Sequence, residues 1–164
     1  LFVLWLLGLV LSTAMFVYDF RWYILPNKFV YPLIAIAAVH RTLIIFTNDA
    51  PFSKDFGALV LSLAVAAGFF FVLHEYSKGK WIGDGDVRLG VAMGFFLPGP
   101  FEAWFAICIA SVIGVIVALP KLLESRKNLR MKLPFGPLLL IGLYIAYLFA
   151  APVLHWYNVT FLYL

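Results

Sequence analysis

Long runs without a charged side chain govern what this chain can become. Leu1 to Tyr18 carries no charge, and the run ends at Asp19. Apolar stretches of similar length lie at about Phe29–Phe46 (interrupted by Arg41), Phe56–Leu73, Phe101–Leu119 (with Glu102 at its edge) and Leu138–Ala151. A membrane-spanning helix needs about 20 apolar residues, within a range of roughly 17–25. The composition agrees, at 65% hydrophobic and 12% charged, where soluble domains average roughly 45–50% and about 25%. A soluble fold of this length has no interior large enough for so much apolar surface, so the excess faces lipid. The same richness in Leu, Ile, Val and Phe excludes disorder.

A further apolar stretch, about Val87–Leu97, stops at Pro98-Gly99-Pro100. About 11 helical residues rise only roughly 16 Å, against a hydrocarbon core near 30 Å. The sequence therefore predicts an all-α integral membrane protein: a polytopic bundle of about six transmembrane helices with a short or broken fourth. One membrane-embedded domain over residues 1–164 fits this length. The first stretch lacks a basic flank and a small-residue cleavage site, so it reads as a retained helix. The aromatic tail from Pro152 to Leu164 is short and is expected to lie at an interface.

Positive charge falls in every second gap. Arg21 and Lys28 follow the first stretch, Lys78, Lys80 and Arg88 the third, and Lys121, Arg126, Lys127, Arg130 and Lys132 the fifth. The alternate gaps hold only Lys54, with Arg41 near the outer end of the second stretch. By the positive-inside rule the N-terminus lies outside and these three loops face the cytoplasm. The net charge of +4 is thus a matter of topology rather than of nucleic-acid binding. His40-Arg41 is expected to snorkel to the outer interface, and His74 and Glu75 to be solvated.

Two acidic features stand on the cytoplasmic side: Asp19, and Gly83-Asp84-Gly85-Asp86 at the start of the fourth stretch. Ionisable groups at membrane depth are costly and mark a site or pathway. Two carboxyls about 4–5 Å apart repel by roughly 3–4 kcal/mol at an effective dielectric near 20. That separates their ionisations by about 2–3 pH units, and burial raises such values further. Such a pair holds one proton over a wide pH range and can activate water while polarising a carbonyl. Gly83 and Gly85 are expected to supply positive φ or close backbone approach, aiming Asp86 into a pocket. Neither feature is decisive alone. Asp19 could be a solvated helix end, and the Gly-Asp turn a weak calcium loop, although the later EF-hand ligand positions hold Leu and Val.

Three ordered motifs give a specific resemblance. Asp19 leads to Leu25-Pro26-Asn27, Gly83-Asp84-Gly85-Asp86 leads to Val87-Arg88-Leu89, and Pro134-Phe135-Gly136-Pro137 opens the last helix. In order and spacing the chain resembles the type IV prepilin peptidase family, membrane aspartyl proteases with a Gly-x-Gly-Asp motif. The resemblance implies that Asp19 and Asp86 are the catalytic pair. It implies that Gly83, Asp84, Gly85, Arg88, Pro134, Phe135, Gly136 and Pro137 shape the site. Asp84 takes the variable position. Arg88 stands where the family usually has Lys, which keeps the charge but changes the donor geometry. Nothing in the sequence matches the cysteine-paired methyltransferase-associated region of larger members, so the resemblance is to the short form and implies peptidase activity alone.

The implied substrate is a prepilin-like or archaellin-like protein inserted in the cytoplasmic membrane. The implied cut lies between its basic leader and its apolar helix, after a small residue such as Gly. Lipid is the other partner; no nucleic acid, cofactor or metal is expected, and His40, His74 and His155 lack zinc-ligand spacing. Cys108, alone in an apolar stretch, is expected to be buried and inert. The rival reading is a proton- or cation-coupled transporter relaying through Asp19 and Asp86, but transporters favour midplane acids and internal repeats, and no repeat occurs here. Tyr18-Asp19 also resembles the Tyr-Asp step of presenilin-like proteases, yet the residues after Asp86 and the Pro-Phe-Gly-Pro step favour the prepilin branch.

Overall fold

A computed structural model describes residues 1–48, 50–124 and 134–161. Arg126, Lys127, Arg130 and Lys132 of the basic gap lie outside the described residues, as does the Lys121 side chain. Among the described residues six helices follow one another: α1 Phe2–Trp22, α2 Asn27–Thr47, α3 Phe52–Ser77, α4 Asp84–Phe96, α5 Pro100–Glu124 and α6 Phe135–Phe161. All but α4 are long and apolar enough to cross a membrane, and no strand occurs among the described residues. The protein is therefore a polytopic helical membrane protein with a short fourth helix. Phe2, Phe46, Phe71 and Ile116 are among the large apolar side chains on the outer surface, as expected for helices solvated by lipid.

Small residues let the short helix sit inside the bundle. A Cβ placed on Gly90 would lie 2.8 Å from the Ala66 carbonyl oxygen, and one on Gly94 2.9 Å from Leu63 Cα. The glycine face of α4 thus lies directly on the α3 backbone, a contact typical of membrane helices, whose association depends on close packing. The Ala66 end of that contact falls in a π-helical turn, Ala64–Gly68, the single-turn form in which π geometry usually interrupts an α-helix. Gly142 of α6 packs in the same way on the Ala106 carbonyl of α5. The core between the helices gathers Met15, Leu33, Phe70, Met93, Ala106 and Leu139.

Three expectations require correction. Arg41 does not snorkel: it is 4% exposed and donates to the Pro98 carbonyl at 2.7 Å and to the Asp55 carbonyl at 3.4 Å. The cause is local: α4 ends at Phe96, and the Pro98 carbonyl just beyond its cap takes its donor from Arg41, whose side chain turns into the bundle. His40 is buried beside the Phe96 ring, 5.8 Å between centroids. Second, the segment from Pro152 is not a separate interfacial tail, because α6 runs through Pro152 to Phe161. A continuing helix satisfies its own backbone in lipid. Third, Cys108 is exposed on the outside of α5; an apolar stretch does not reveal which face of its helix meets lipid.

Candidate active site

Asp19 lies in the last turn of α1 and is only 5% exposed. The helix stops three residues later. Tyr23 takes the left-handed conformation (φ 55°, ψ 35°), and its N–H returns to the Asp19 carbonyl at 2.8 Å. The chain then runs through Leu25 and extended Pro26 into α2.

Asp86 occupies the third residue of α4. Its Oδ2 accepts the backbone N–H of Gly83 at 3.3 Å, and its own N–H donates to the Gly83 carbonyl at 3.1 Å. Gly83 has no side chain to reciprocate, so this is half of a capping box. It fixes the carboxylate at the positive end of the helix. Upstream, His74 accompanies the turn: its Nδ1 lies 2.9 Å from the Ile82 carbonyl oxygen. His74 is thus part of the scaffold of the 78–83 loop rather than simply solvated.

The two carboxyls meet in one cavity of about 560 Å³, lined by Asp19, Leu25, Asn27, Lys80, Asp86 and Arg88 among others. It lies at the end of the bundle where α1 and α3 finish and α2, α4 and α6 begin. The Asp86 carboxyl, ahead of the apolar run of α4, is pushed up from the ordinary 3.8 to about 6. Burial is the main cause and the nearby Asp19 charge the next, partly offset by the Gly83 N–H. Two interacting carboxyls of this kind titrate as a pair and can hold a single proton between them.

Each expected site residue has a definite place. Gly83, Asp84, Gly85, Arg88, Pro134 and Phe135 line the cavity. Gly136 touches Asp19 itself: its backbone amide faces the carboxylate, and a Cβ there would lie 2.5 Å from Asp19 Oδ2. Pro137 is buried in the first turn of α6 and does not line the cavity. The glycines act differently from one expectation. Gly83 has φ −73°, and Gly79 is the glycine with positive φ, so close approach and not left-handed backbone explains Gly85. A Cβ at Gly85 would lie 2.9 Å from Leu25 Cβ.

Arg88 joins two helices. It forms an ion pair with Asp84 one turn back, donates to Asn27 Oδ1 at the start of α2, and lies 5.4 Å from the Tyr31 ring centroid. Asn27, Leu25, Tyr31, Lys80 and Trp81 were not singled out as site residues in the sequence. The Leu25-Pro26-Asn27 step was the available signal, but it read as a motif without a role.

The model of the type IV leader peptidase family matches residues 5–119, a stretch that contains Asp19 and Asp86 and stops before the Gly136 that contacts Asp19. The chain is 27% identical over 141 residues to the Prepilin leader peptidase/N-methyltransferase of Bacillus subtilis (strain 168), covering 85% of this chain. It spans 52% of the length of that relative. No solved structure matches. With well over half of its residues matched, the chain belongs to the type IV leader peptidase family.

Proposed function

We propose that this protein is a membrane aspartyl endopeptidase that removes the leader from prepilin-like or archaellin-like precursors, with Asp19 and Asp86 as its catalytic pair. One membrane-embedded domain, residues 1–164, carries the activity at the cytoplasmic face of the cell membrane. The observation behind this reading is the meeting of Asp19 and Asp86, from distant points of the sequence, in one cavity.

The pair works through one shared proton. The ionised carboxyl takes a proton from water as the water oxygen attacks the scissile carbonyl. The protonated carboxyl gives its proton to the carbonyl oxygen. Collapse of the tetrahedral species returns that proton and breaks the C–N bond, while the first carboxyl protonates the leaving amine. Gly136 N–H and Gly83 N–H hold the two carboxylates in place.

The test is cleavage of a precursor with a basic leader ending in Gly ahead of an apolar helix. Asp19→Asn and Asp86→Asn are each expected to abolish cleavage while membrane insertion persists. Full activity in either variant would overturn the assignment.

A further inference from the structure

Leu25 sits where three elements meet. Its Cβ and Cδ1 would lie 2.9 and 3.2 Å from a Cβ on Gly85, and its Cδ1 and Cδ2 each 3.2 Å from a Cβ on Gly136. One leucine therefore rests on the bare backbone of two glycines from two different helices. Gly85 directly precedes Asp86, and the Gly136 amide faces the Asp19 carboxylate. Leu25 itself follows α1 through Tyr23, whose N–H is bound to the Asp19 carbonyl. Each route from this side chain leads to a carboxylate-bearing residue: along the chain from Gly85 to Asp86, and through a hydrogen bond from Gly136 and from Tyr23 to Asp19. Neither glycine has positive φ, so what each supplies to this contact is the absence of a side chain.

We propose that Leu25 is a positioning residue, a wedge seated between Gly85 and Gly136 that sets the separation of Asp19 and Asp86. The inference rests on the reading of those two aspartates as the catalytic pair, and it names what fixes their geometry. The loop that carries Leu25 is held from its far side by the Asn27–Arg88 hydrogen bond, so the wedge cannot back out without breaking a polar tie. Without the leucine side chain, α1, α4 and α6 lose their common stop and the carboxylates drift relative to each other. An ordinary core leucine would contribute stability alone. A wedge contributes to the chemical step, because a misplacement near 1 Å reduces rate by up to about 100-fold.

The experiment uses the full chain in lipid vesicles and a synthetic precursor: a short Lys-rich leader ending in Gly, joined to an apolar helix of about 20 residues. Leu25→Ala is expected to lower kcat by about 10- to 100-fold and leave KM within about twofold. Leu25→Met, of similar volume, keeps kcat within about threefold. Gly85→Ala, which drives a methyl into Leu25, lowers kcat on its own. The Leu25→Ala/Gly85→Ala double variant then loses less than the product of the two single losses, because both act on one contact. Wild-type kcat in Leu25→Ala, a double variant whose loss equals the product, or a Leu25→Ala protein that no longer folds would each overturn the wedge. Failure of the wild-type chain to cut the precursor, or cutting by Asp19→Asn, would sink the catalytic reading instead.

Discussion

At the scale of single residues, the proposed chemistry rests on where one carboxyl keeps its proton. Asp86 titrates near 6 in the folded protein, against an ordinary 3.8. The folded state thus binds this proton more tightly than the unfolded chain does. Its contribution favours the folded state below about pH 4 and is lost as pH rises through 6. Asp86→Asn has no proton to lose and keeps an oxygen for the Gly83 N–H. It should therefore be more stable than wild type at pH 8, by roughly 2–3 kcal/mol, with the difference fading towards pH 4. Thermal unfolding in detergent across that range measures it, and a constant difference would contradict the assignment of the shift. In the sequence both aspartates were visible as charges at the edge of apolar stretches. Their mutual influence was not, since it depends on a distance between helices.

At the scale of elements, α4 is the unusual member. A 13-residue helix is too short to cross a bilayer core, and it is held at both ends by other helices: Arg88 to Asn27 at one, Arg41 to Pro98 at the other. Arg41→Met should leave the Pro98 carbonyl without its charged donor and lower stability by about 1.5–3 kcal/mol, read as a fall in the unfolding midpoint. The flank against α3 is equally constrained. Gly94→Leu should force α4 away from Leu63 and destabilise the bundle by about 1–3 kcal/mol or more. Gly57→Ala, with nothing within 4 Å of a Cβ there, should be neutral or slightly stabilising. A similar loss from both glycines would show that helix propensity, not packing, decides. The Pro98-Gly99-Pro100 stop predicted the end of this helix correctly, and the broken span was legible from length. The partner that satisfies its end was misread, because a lone Arg in an apolar run looks the same whether it reaches out to water or in to a carbonyl.

At the scale of the whole molecule, the cavity opens at the end of the bundle that carries Arg21, Lys28 and Lys80, which the positive-inside rule assigns to the cytoplasm. Lys54 belongs to the opposite end. In a Cys108→Ser background, Lys54→Cys should react with a membrane-impermeant thiol reagent added outside intact cells. Lys78→Cys should react only after the membrane is opened. The reverse labelling would place the cavity on the external face and remove access to a cytoplasmic leader.

Bilayer thickness converts directly into the length of an apolar run, so the order of residues alone revealed that this chain lives in lipid, that it forms about six helices and that the fourth is short. The sequence also marked the acids and their flanking glycines, since charge beside such runs is costly and stands out. Which groups touch emerged from the folded arrangement. The Gly136 amide on Asp19, the leucine between two glycines and the buried Arg41 all depend on rotation and depth of one helix against another. Those quantities come from packing between small residues that a one-dimensional pattern of apolar and polar residues does not encode.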